Sequence, residues 1–310
     1  MTELTVAFGY YPKQLNLSVG SILICPRPEL AAVVAAVESS ERVEGDWIYA
    51  PTPSLIKPDG TAVLYPYPDR VFDLPQTHAF VHSSADSDAH IAFHLWCLSF
   101  FSGMRLTSTD AGFVDCTPIK PSKLFDFLLM GSGLKDAVWL AEVFWLKNRH
   151  SAERAKLIAA IIHALFLSQN PRHLQFERFA MLYASIDACF ALAKSLKGKK
   201  MGVSHSGRIK WMCELFGVPL PSWAEKGEAA LAEVADIRNQ STHEALFMGE
   251  PLGFALHGVG KGINLTLEME NLICRLLVGL LSTQAVDYVS TSVDSYQRHG
   301  LKLPGWQSEE

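Results

Sequence analysis

Short apolar runs with alternating or β-branched character dominate the first part of the chain. Such runs predict strands, because successive side chains of a strand point to opposite faces. The predicted strands are Leu4 to Phe8, Gln14 to Ile24, Asp46 to Tyr49 and Thr77 to His82, and a short helix is predicted from Glu29 to Ser39. Six prolines lie between residues 51 and 75. Because proline fixes φ and lacks a backbone N–H, this stretch is expected to form loops and edge strands.

Apolar residues recur at helical spacing from Ser87 onward, which predicts a change to helices. The predicted helices are Ser87 to Phe101, a helix opened by Pro121 that includes Leu129, Leu134 to Lys147, Ser151 to Ser168, Phe176 to Leu196, Ser206 to Phe216, Ser222 to about Met248, and Leu265 to about Val293. Asn170 and Pro171 interrupt this series. We therefore expect a mixed α+β domain of undefined role over residues 1–150, followed by an all-α helical bundle over residues 151–310.

Composition and charge narrow the class of protein. The 310 residues are 49% hydrophobic and 19% charged, which is ordinary for a globular protein. A net charge of -5 argues against a general nucleic-acid coat, although a local basic patch remains compatible with it. The six cysteines are scattered without a CxxC pair, as in reduced proteins. With no predicted signal peptide and no apolar run long enough to span a membrane, we expect a cytoplasmic protein without a membrane partner.

One arginine lies at a position that the apolar pattern predicts to be buried. On the helix predicted from Ser222, apolar residues including Val234 and Ala235 cluster on one side, and Arg238 falls near the middle of that stripe. A buried guanidinium is costly unless it is paired or reaches a cleft. Asn239 and His243 are four residues apart beside it, so their side chains are expected to meet over one spot.

These three residue types suit cleavage of RNA. An imidazole exchanges protons near neutral pH, so His243 is a candidate general acid or base. Arg238 has the bidentate geometry that phosphate oxygens prefer, and Asn239 is a candidate to orient the phosphate or the imidazole. The ribose 2′-OH would be the nucleophile, so no metal or other cofactor is expected. A string this short also fits a structural arginine beside a solvated histidine.

The C-terminal half resembles a HEPN domain, and more closely the Apea-like HEPN group. The resemblance rests on Arg238, Asn239 and His243, and on the helix from Phe176 that contains Tyr183 and Asp187, and it covers roughly residues 174–293. It implies a helical bundle and an endoribonuclease that leaves a cyclic phosphate. The active site would be shared between two protomers of a homodimer, with a role in anti-phage defence. Some HEPN domains instead serve as binding or dimerisation modules, which is the alternative function.

Two further features support the RNA hypothesis. Asp187 lies at the edge of its helix and is predicted to support the site by pairing with Arg238, although a solvent-exposed carboxylate is the alternative. No acidic residue occurs between Ala188 and Cys213. The basic residues in that interval are Lys194, Lys197, Lys199, Lys200, Arg208 and Lys210. They are candidate contacts for the phosphates of a tRNA or mRNA, unless they form only a solvated basic loop.

A histidine cluster gives a competing hypothesis. His90 and His94 are four residues apart on a predicted helix, and His78, His82 and Cys97 lie nearby in sequence. This pattern suggests a metal site, but it lacks the glutamate of an HExxH motif. The surrounding apolar residues favour core or surface histidines, and we expect no metal. A metal-dependent enzyme centred on His90 and His94 remains the weaker alternative.

Overall fold

The computed structural model of the protein describes residues 3–122, 124–198, 202–226, 232–252, 265–282, 284–294 and 297–305. Backbone packing divides the chain into two compact units, the first ending at Leu124 and the second running from Phe125 to Gly305. The boundary predicted from the sequence lies near residue 150. The difference arises because the helix Leu134–Asn148 packs with the later helices, and the strand Phe127–Leu129 pairs with His299–Leu301.

Small antiparallel sheets make up most of the first unit. Its strands are β1 (Leu4–Phe8), β2 (Leu17–Val19), β3 (Ile22–Pro26), β4 (Val43–Glu44), β5 (Trp47–Tyr49), β6 (Ser54–Ile56), β7 (Ala62–Leu64), β8 (Val71–Phe72), β9 (His78–His82), β10 (Phe113–Val114) and β11 (Cys116–Pro118). The largest sheet has the order β1-β9-β3-β2. Strands β6, β7 and β8 lie in the proline-rich stretch and are two or three residues long, as the prolines predict.

Two helices accompany these sheets. They are α1 (Leu30–Glu38) and α2 (Asp88–Ser102), and both were predicted from the sequence. The hydroxyl of Ser87 accepts a hydrogen bond from the backbone N–H of His90 at 3.3 Å, which caps the start of α2. Gly103 ends α2 in the left-handed conformation with φ of 69°, which glycine adopts without steric cost. Local capping chemistry therefore predicted this helix correctly.

Helices dominate the second unit. They are α3 (Leu134–Asn148), α4 (Ala152–Ser168), α5 (Gln175–Lys197), α6 (His205–Phe216), α7 (Glu233–Asn239) and α8 (Leu265–Leu281). Four short strands accompany them, namely β12 (Phe127–Leu129), β13 (Leu246–Phe247), β14 (Glu250–Pro251) and β15 (His299–Leu301). Helix α5 packs against α4, α6 and α8. Among the described residues, α5 alone is long and apolar enough to span a membrane by length and composition, and half of its apolar window is buried inside the protein.

Three predicted helices differ from the structure, and the one predicted from Leu265 to about Val293 ends at Leu281. The segment after Pro121 forms β12, which pairs in parallel with β15, because a short apolar run fits a strand as well as a helix when a partner is available. The helix predicted from Ser222 to Met248 is broken. Residues Ser222–Ala224 form a 3₁₀ turn, and the backbone is extended at Glu225, so no longer helix starts at Ser222. The buried Trp223 donates its indole N–H to Glu268 of α8 at 2.8 Å, a tertiary contact that local propensity does not encode.

A completely buried arginine holds α8 in place. The side chain of Arg275 is 0% exposed and lies 2.7 Å from a carboxylate oxygen of Asp126, just before β12. Its remaining N–H groups donate to Asn271, Thr291 and Ser292. Every guanidinium donor therefore has an acceptor, which is the condition under which a buried charge is tolerated.

Removing one member of this pair should strongly destabilise the fold. We expect Arg275→Met to lower the free energy of unfolding by about 3–5 kcal/mol, because the Asp126 carboxylate would be left buried without its partner. Urea denaturation followed by circular dichroism measures the change. Lys210→Met is the control, since Lys210 lies in an exposed pair with Glu214 and should change stability by less than about 1 kcal/mol. Equal effects of the two substitutions would contradict the assigned role of Arg275.

Candidate active site

Helix α5 presents two polar groups on the same side. Tyr183 and Asp187 are four residues apart, so they lie one helical turn from each other. The Tyr183 side chain is buried, and its ring contacts Phe179 at a centroid distance of 5.9 Å. The Asp187 side chain is about one-third exposed, with 33% of its surface accessible. Along this side of α5, a buried tyrosine is therefore followed one turn later by a partly exposed carboxylate.

The partner of Asp187 is Arg208 of α6. Nη1 of Arg208 lies 2.6 Å from Oδ1 of Asp187, and Nδ1 of His205 lies 3.9 Å from Oδ2. The guanidinium also lies over the ring of Phe190, 4.9 Å from its centroid. The predicted pairing of Asp187 with Arg238 is therefore wrong, because the packing of α6 on α5 brings a nearer cation to the carboxylate.

The three residues of the predicted motif meet at one point. Nη1 of Arg238 lies 3.2 Å from Oδ1 of Asn239 and 3.3 Å from Nε2 of His243. A guanidinium only donates hydrogen bonds, so both of these atoms accept. This bond requires Nε2 of His243 to be unprotonated. The expected contact between Asn239 and His243 is replaced by contacts that both make with Arg238.

A π-helical turn creates this geometry. The chain leaves α7 through the π turn Gln240–Glu244, in which the backbone bonds run from residue i to i+5. On a regular α-helix, residues five apart are separated by about 140° around the axis. The wider turn brings Arg238 and His243 to one side instead. The hydroxyl of Ser241 donates to the carbonyl of Arg238 at 3.0 Å and closes the turn.

A hairpin fixes the far end of the π turn. Ala245 adopts a left-handed conformation with φ of 55° and ends the helical stretch, after which β13 and β14 pair in antiparallel fashion. Phe247 of β13 is buried and meets the ring of Phe179 on α5 edge to face, at 5.5 Å. The backbone N–H of Gly249 donates to the side chain of Gln240 at 3.2 Å. The segment after the motif is therefore anchored on the same helix that carries Tyr183.

Arg238 is half-buried rather than central to a buried stripe. Val234, Ala235 and Ile237 are buried, whereas Ala245 is exposed, so the apolar stripe predicted for one long helix ends with α7. Within the part of the chain that the structure describes, Arg238 makes side-chain hydrogen bonds only through Nη1. Its Nε and Nη2 donors face no protein acceptor there. They are the groups that an anionic ligand would engage.

Tyr183 links the two groups of charges. Burial is the largest cause of a raised pKa at the Tyr183 hydroxyl, and the Asp187 carboxylate raises this pKa further. Arg238 and Arg208 oppose this shift in pKa, since a nearby positive charge favours the phenolate. The two arginines and the carboxylate therefore act electrostatically on one hydroxyl. Arg238 of the motif and the Asp187–Arg208 ion pair therefore act on the same tyrosine side chain.

The predicted basic patch is less uniform than its sequence indicates. Lys199 and Lys200 lie outside the described residues. Lys197 is exposed near the end of α5, and Lys194 is half-buried. The other two cations are paired, Arg208 with Asp187 and Lys210 with Glu214 at 3.9 Å. Asp187 and Glu214 lie just outside residues 188–213, the interval without acidic residues. Counting charges within that interval alone therefore overstated the number of unpaired cations.

Sequence reasoning missed His205. It lies three residues before Arg208 at the start of α6, a spacing that places both on one face of a helix. That spacing was the available signal, but it gave no indication of which helix the two residues face. Tyr183 was noted through the family resemblance alone, and its burial beside the charges adds a physical reason for including it.

A pair of double-mutant cycles tests the arrangement. We expect Asp187→Asn and Arg208→Met to show a coupling of about 1 kcal/mol in the free energy of unfolding, because their side chains are in contact. Asp187→Asn and Arg238→Met serve as the matched cycle and should couple by less than about 0.5 kcal/mol. Stronger coupling in the second cycle would restore the pairing predicted from sequence and contradict the observed one.

Comparisons with protein-family models, with curated proteins and with solved structures found no significant match to this chain. The candidate site therefore stands on the geometry of its own residues. Its main features are the cation of Arg238, the imidazole of His243 in contact with it, and the buried side chain of Tyr183.

Proposed function

We propose that this protein is a metal-independent endoribonuclease of the HEPN type. The observation that carries the proposal is the contact of one guanidinium nitrogen of Arg238 with both Asn239 and His243. A fixed cation, an amide and an imidazole are thus gathered at a half-exposed surface. This set can bind a phosphodiester and move a proton beside it without a metal ion.

Arg238 would hold the scissile phosphate. Its Nε and Nη2 donors form one edge of the planar guanidinium, and that edge matches two phosphate oxygens. As the 2′-OH attacks, negative charge builds on those oxygens, and a cation already in place stabilises it. Asn239 orients the guanidinium through the bond to its side-chain oxygen.

His243 would accept the proton of the nucleophile. A hydrogen bond donated by Arg238 requires an acceptor lone pair on Nε2, and a general base needs the same lone pair. A phosphate that draws the guanidinium toward itself through Nε and Nη2 moves Nη1 away from this nitrogen and so releases it to the ribose. The 2′ oxygen then bonds to phosphorus, its proton passes to Nε2, and the bond from phosphorus to the 5′ oxygen breaks. The products are a 2′,3′-cyclic phosphate and a 5′ hydroxyl.

This reaction favours a homodimer. In an in-line displacement the attacking and leaving oxygens lie on opposite sides of phosphorus, so a single imidazole does not reach both. The leaving 5′ oxygen also requires a proton. The protonated His243 of a second copy of the chain, facing the first across the cleft, would supply that proton, while the first His243 keeps the proton taken from the 2′-OH. The proposal therefore includes a site shared by two protomers through their helical units.

RNA is the proposed partner, with tRNA and mRNA as candidates. The exposed Lys197 and the half-buried Lys194 lie near the end of α5, the helix that carries Tyr183, and can hold phosphates beyond the cleavage point. The net charge of -5 confines RNA binding to such a local surface. In this proposal the protein acts in the cytoplasm as an anti-phage effector.

A non-catalytic HEPN module is the second candidate. The bond between Arg238 and Nε2 of His243 supports it, because a ligand that leaves this bond intact would be bound but not cleaved. Such a module would bind nucleotides or a protein partner, or it would serve dimerisation. The two candidates share the same residues and differ in whether the imidazole is released.

Two substitutions test the proposed nuclease. We expect Arg238→Ala and His243→Ala each to lower the rate of RNA cleavage by at least about 100-fold, because each removes one essential function. The rate is measured as fragment formation from total tRNA by gel electrophoresis. Arg149→Ala and His150→Ala are the matched controls, since these adjacent exposed residues are of the same types and lie outside the motif.

The controls should cleave at the wild-type rate, within about twofold, because exposed substitutions rarely perturb a fold. Cleavage by His243→Ala at the wild-type rate would contradict the proposed base. Salt-sensitive RNA binding by the wild type without cleavage, lost in Arg238→Ala, would favour the binding module instead.

A further inference from the structure

Three buried histidines from two elements meet in the N-terminal unit. His82 is the last residue of β9, an inner strand of the four-stranded sheet. His90 and His94 are one turn apart on α2. Each is at most 1% exposed. The ring centroids of His90 and His94 lie 5.1 Å apart, and the ring of His82 lies 4.7 and 5.9 Å from them.

The ligand nitrogens of these rings are close enough for one ion. One nitrogen from each histidine lies within 4.8 Å of the others. A tetrahedral zinc ion with zinc–nitrogen distances near 2.0–2.1 Å places its ligands about 3.4 Å apart. Small side-chain rotations would close the remaining gap. The i, i+4 spacing on α2 supplies two ligands from one helix face, and β9 supplies the third from the opposing sheet.

Neighbouring groups orient two of the rings. Oδ1 of Asp86 lies 3.6 Å from Nδ1 of His90, within ion-pair range but beyond a hydrogen bond, and its negative charge favours a proton on Nδ1, which leaves Nε2 to a metal. A carboxylate behind a ligating histidine is a common arrangement in zinc sites. Nδ1 of His82 lies 3.3 Å from the hydroxyl of Ser21 and accepts from the N–H of Ser84 at 3.2 Å. On metal binding at Nε2, His82 would exchange the contact with Ser84 for donation to Ser21.

We propose that His82, His90 and His94 bind a structural divalent transition metal, with zinc as the favoured ion. Imidazole is a preferred ligand of zinc, and three imidazoles leave a fourth position for an oxygen ligand. The site is enclosed, with Phe80 5.5 Å and Phe93 6.2 Å from the ring of His94, so the ion would fasten α2 to β9 rather than act on a substrate. No metal was expected from the sequence, because spacing along the chain does not reveal that His82 of β9 lies beside α2. The proposal is independent of the nuclease proposed for the helical unit.

Metal analysis of the full chain tests this site. Purified wild-type protein, exchanged into metal-free buffer, should contain about one zinc per chain by mass spectrometry. His90→Gln and His94→Gln should retain less than a tenth of that amount. His78→Gln is the matched control, because His78 is also buried on β9 but its ring contacts Phe8 and Tyr11 instead of the cluster. It should retain the zinc.

A second measurement covers variants that fail to fold. Wild-type protein stripped with a chelator should have a lower Tm, and added zinc alone should restore it, since an ion that binds the folded state stabilises it. Less than a tenth of an equivalent of metal in the wild type, together with a Tm that zinc does not change, would overturn the proposal. A full equivalent of zinc in folded His90→Gln would also overturn it.

Discussion

The buried pair of Arg275 and Asp126 sets the strictest condition on the helical unit. A guanidinium with no access to water needs an acceptor for each donor, and it obtains them from three separate segments of chain. Those segments are α8, the residues before β12, and residues 291–292. Helix α8 packs on α5, and α5 carries Tyr183 and Asp187. The position of the candidate site therefore depends on a charge that is itself purely structural.

Arg238 is the opposite case, and the contrast is informative. Arg275 satisfies all its donors within the protein, whereas the described contacts of Arg238 use Nη1 alone. An arginine held through one nitrogen, whose other donors meet no acceptor among the described residues, is suited to bind an anion. The π turn adds to this, because it brings His243 to the same side at the expense of regular helical bonding. Departures of this kind from a regular helix are frequent at functional sites.

Local signals predicted much of the fold, and non-local contacts account for the failures. The cap at Ser87 and the stop at Gly103 gave α2 correctly, since a few adjacent residues supply all the chemistry involved. The helix expected over residues 222–248 is interrupted, because Trp223 and Phe247 each contact an element that is distant in sequence. The motif residues were identified from sequence, but their mutual contact required the π turn. The pairing of Asp187 was wrong because spacing along one helix does not identify the helix that faces it.

The ends of the RNA fragments test the central claim most directly. Wild-type protein is incubated with RNA in EDTA, its fold is checked by circular dichroism in the same buffer, and the fragment ends are identified by mass spectrometry. Attack by the 2′-OH, assisted by Arg238 and His243, predicts 2′,3′-cyclic phosphates and 5′ hydroxyls formed without added metal. Fragments with 3′ hydroxyls and 5′ phosphates, or cleavage that appears only when a divalent metal is supplied, would contradict the account.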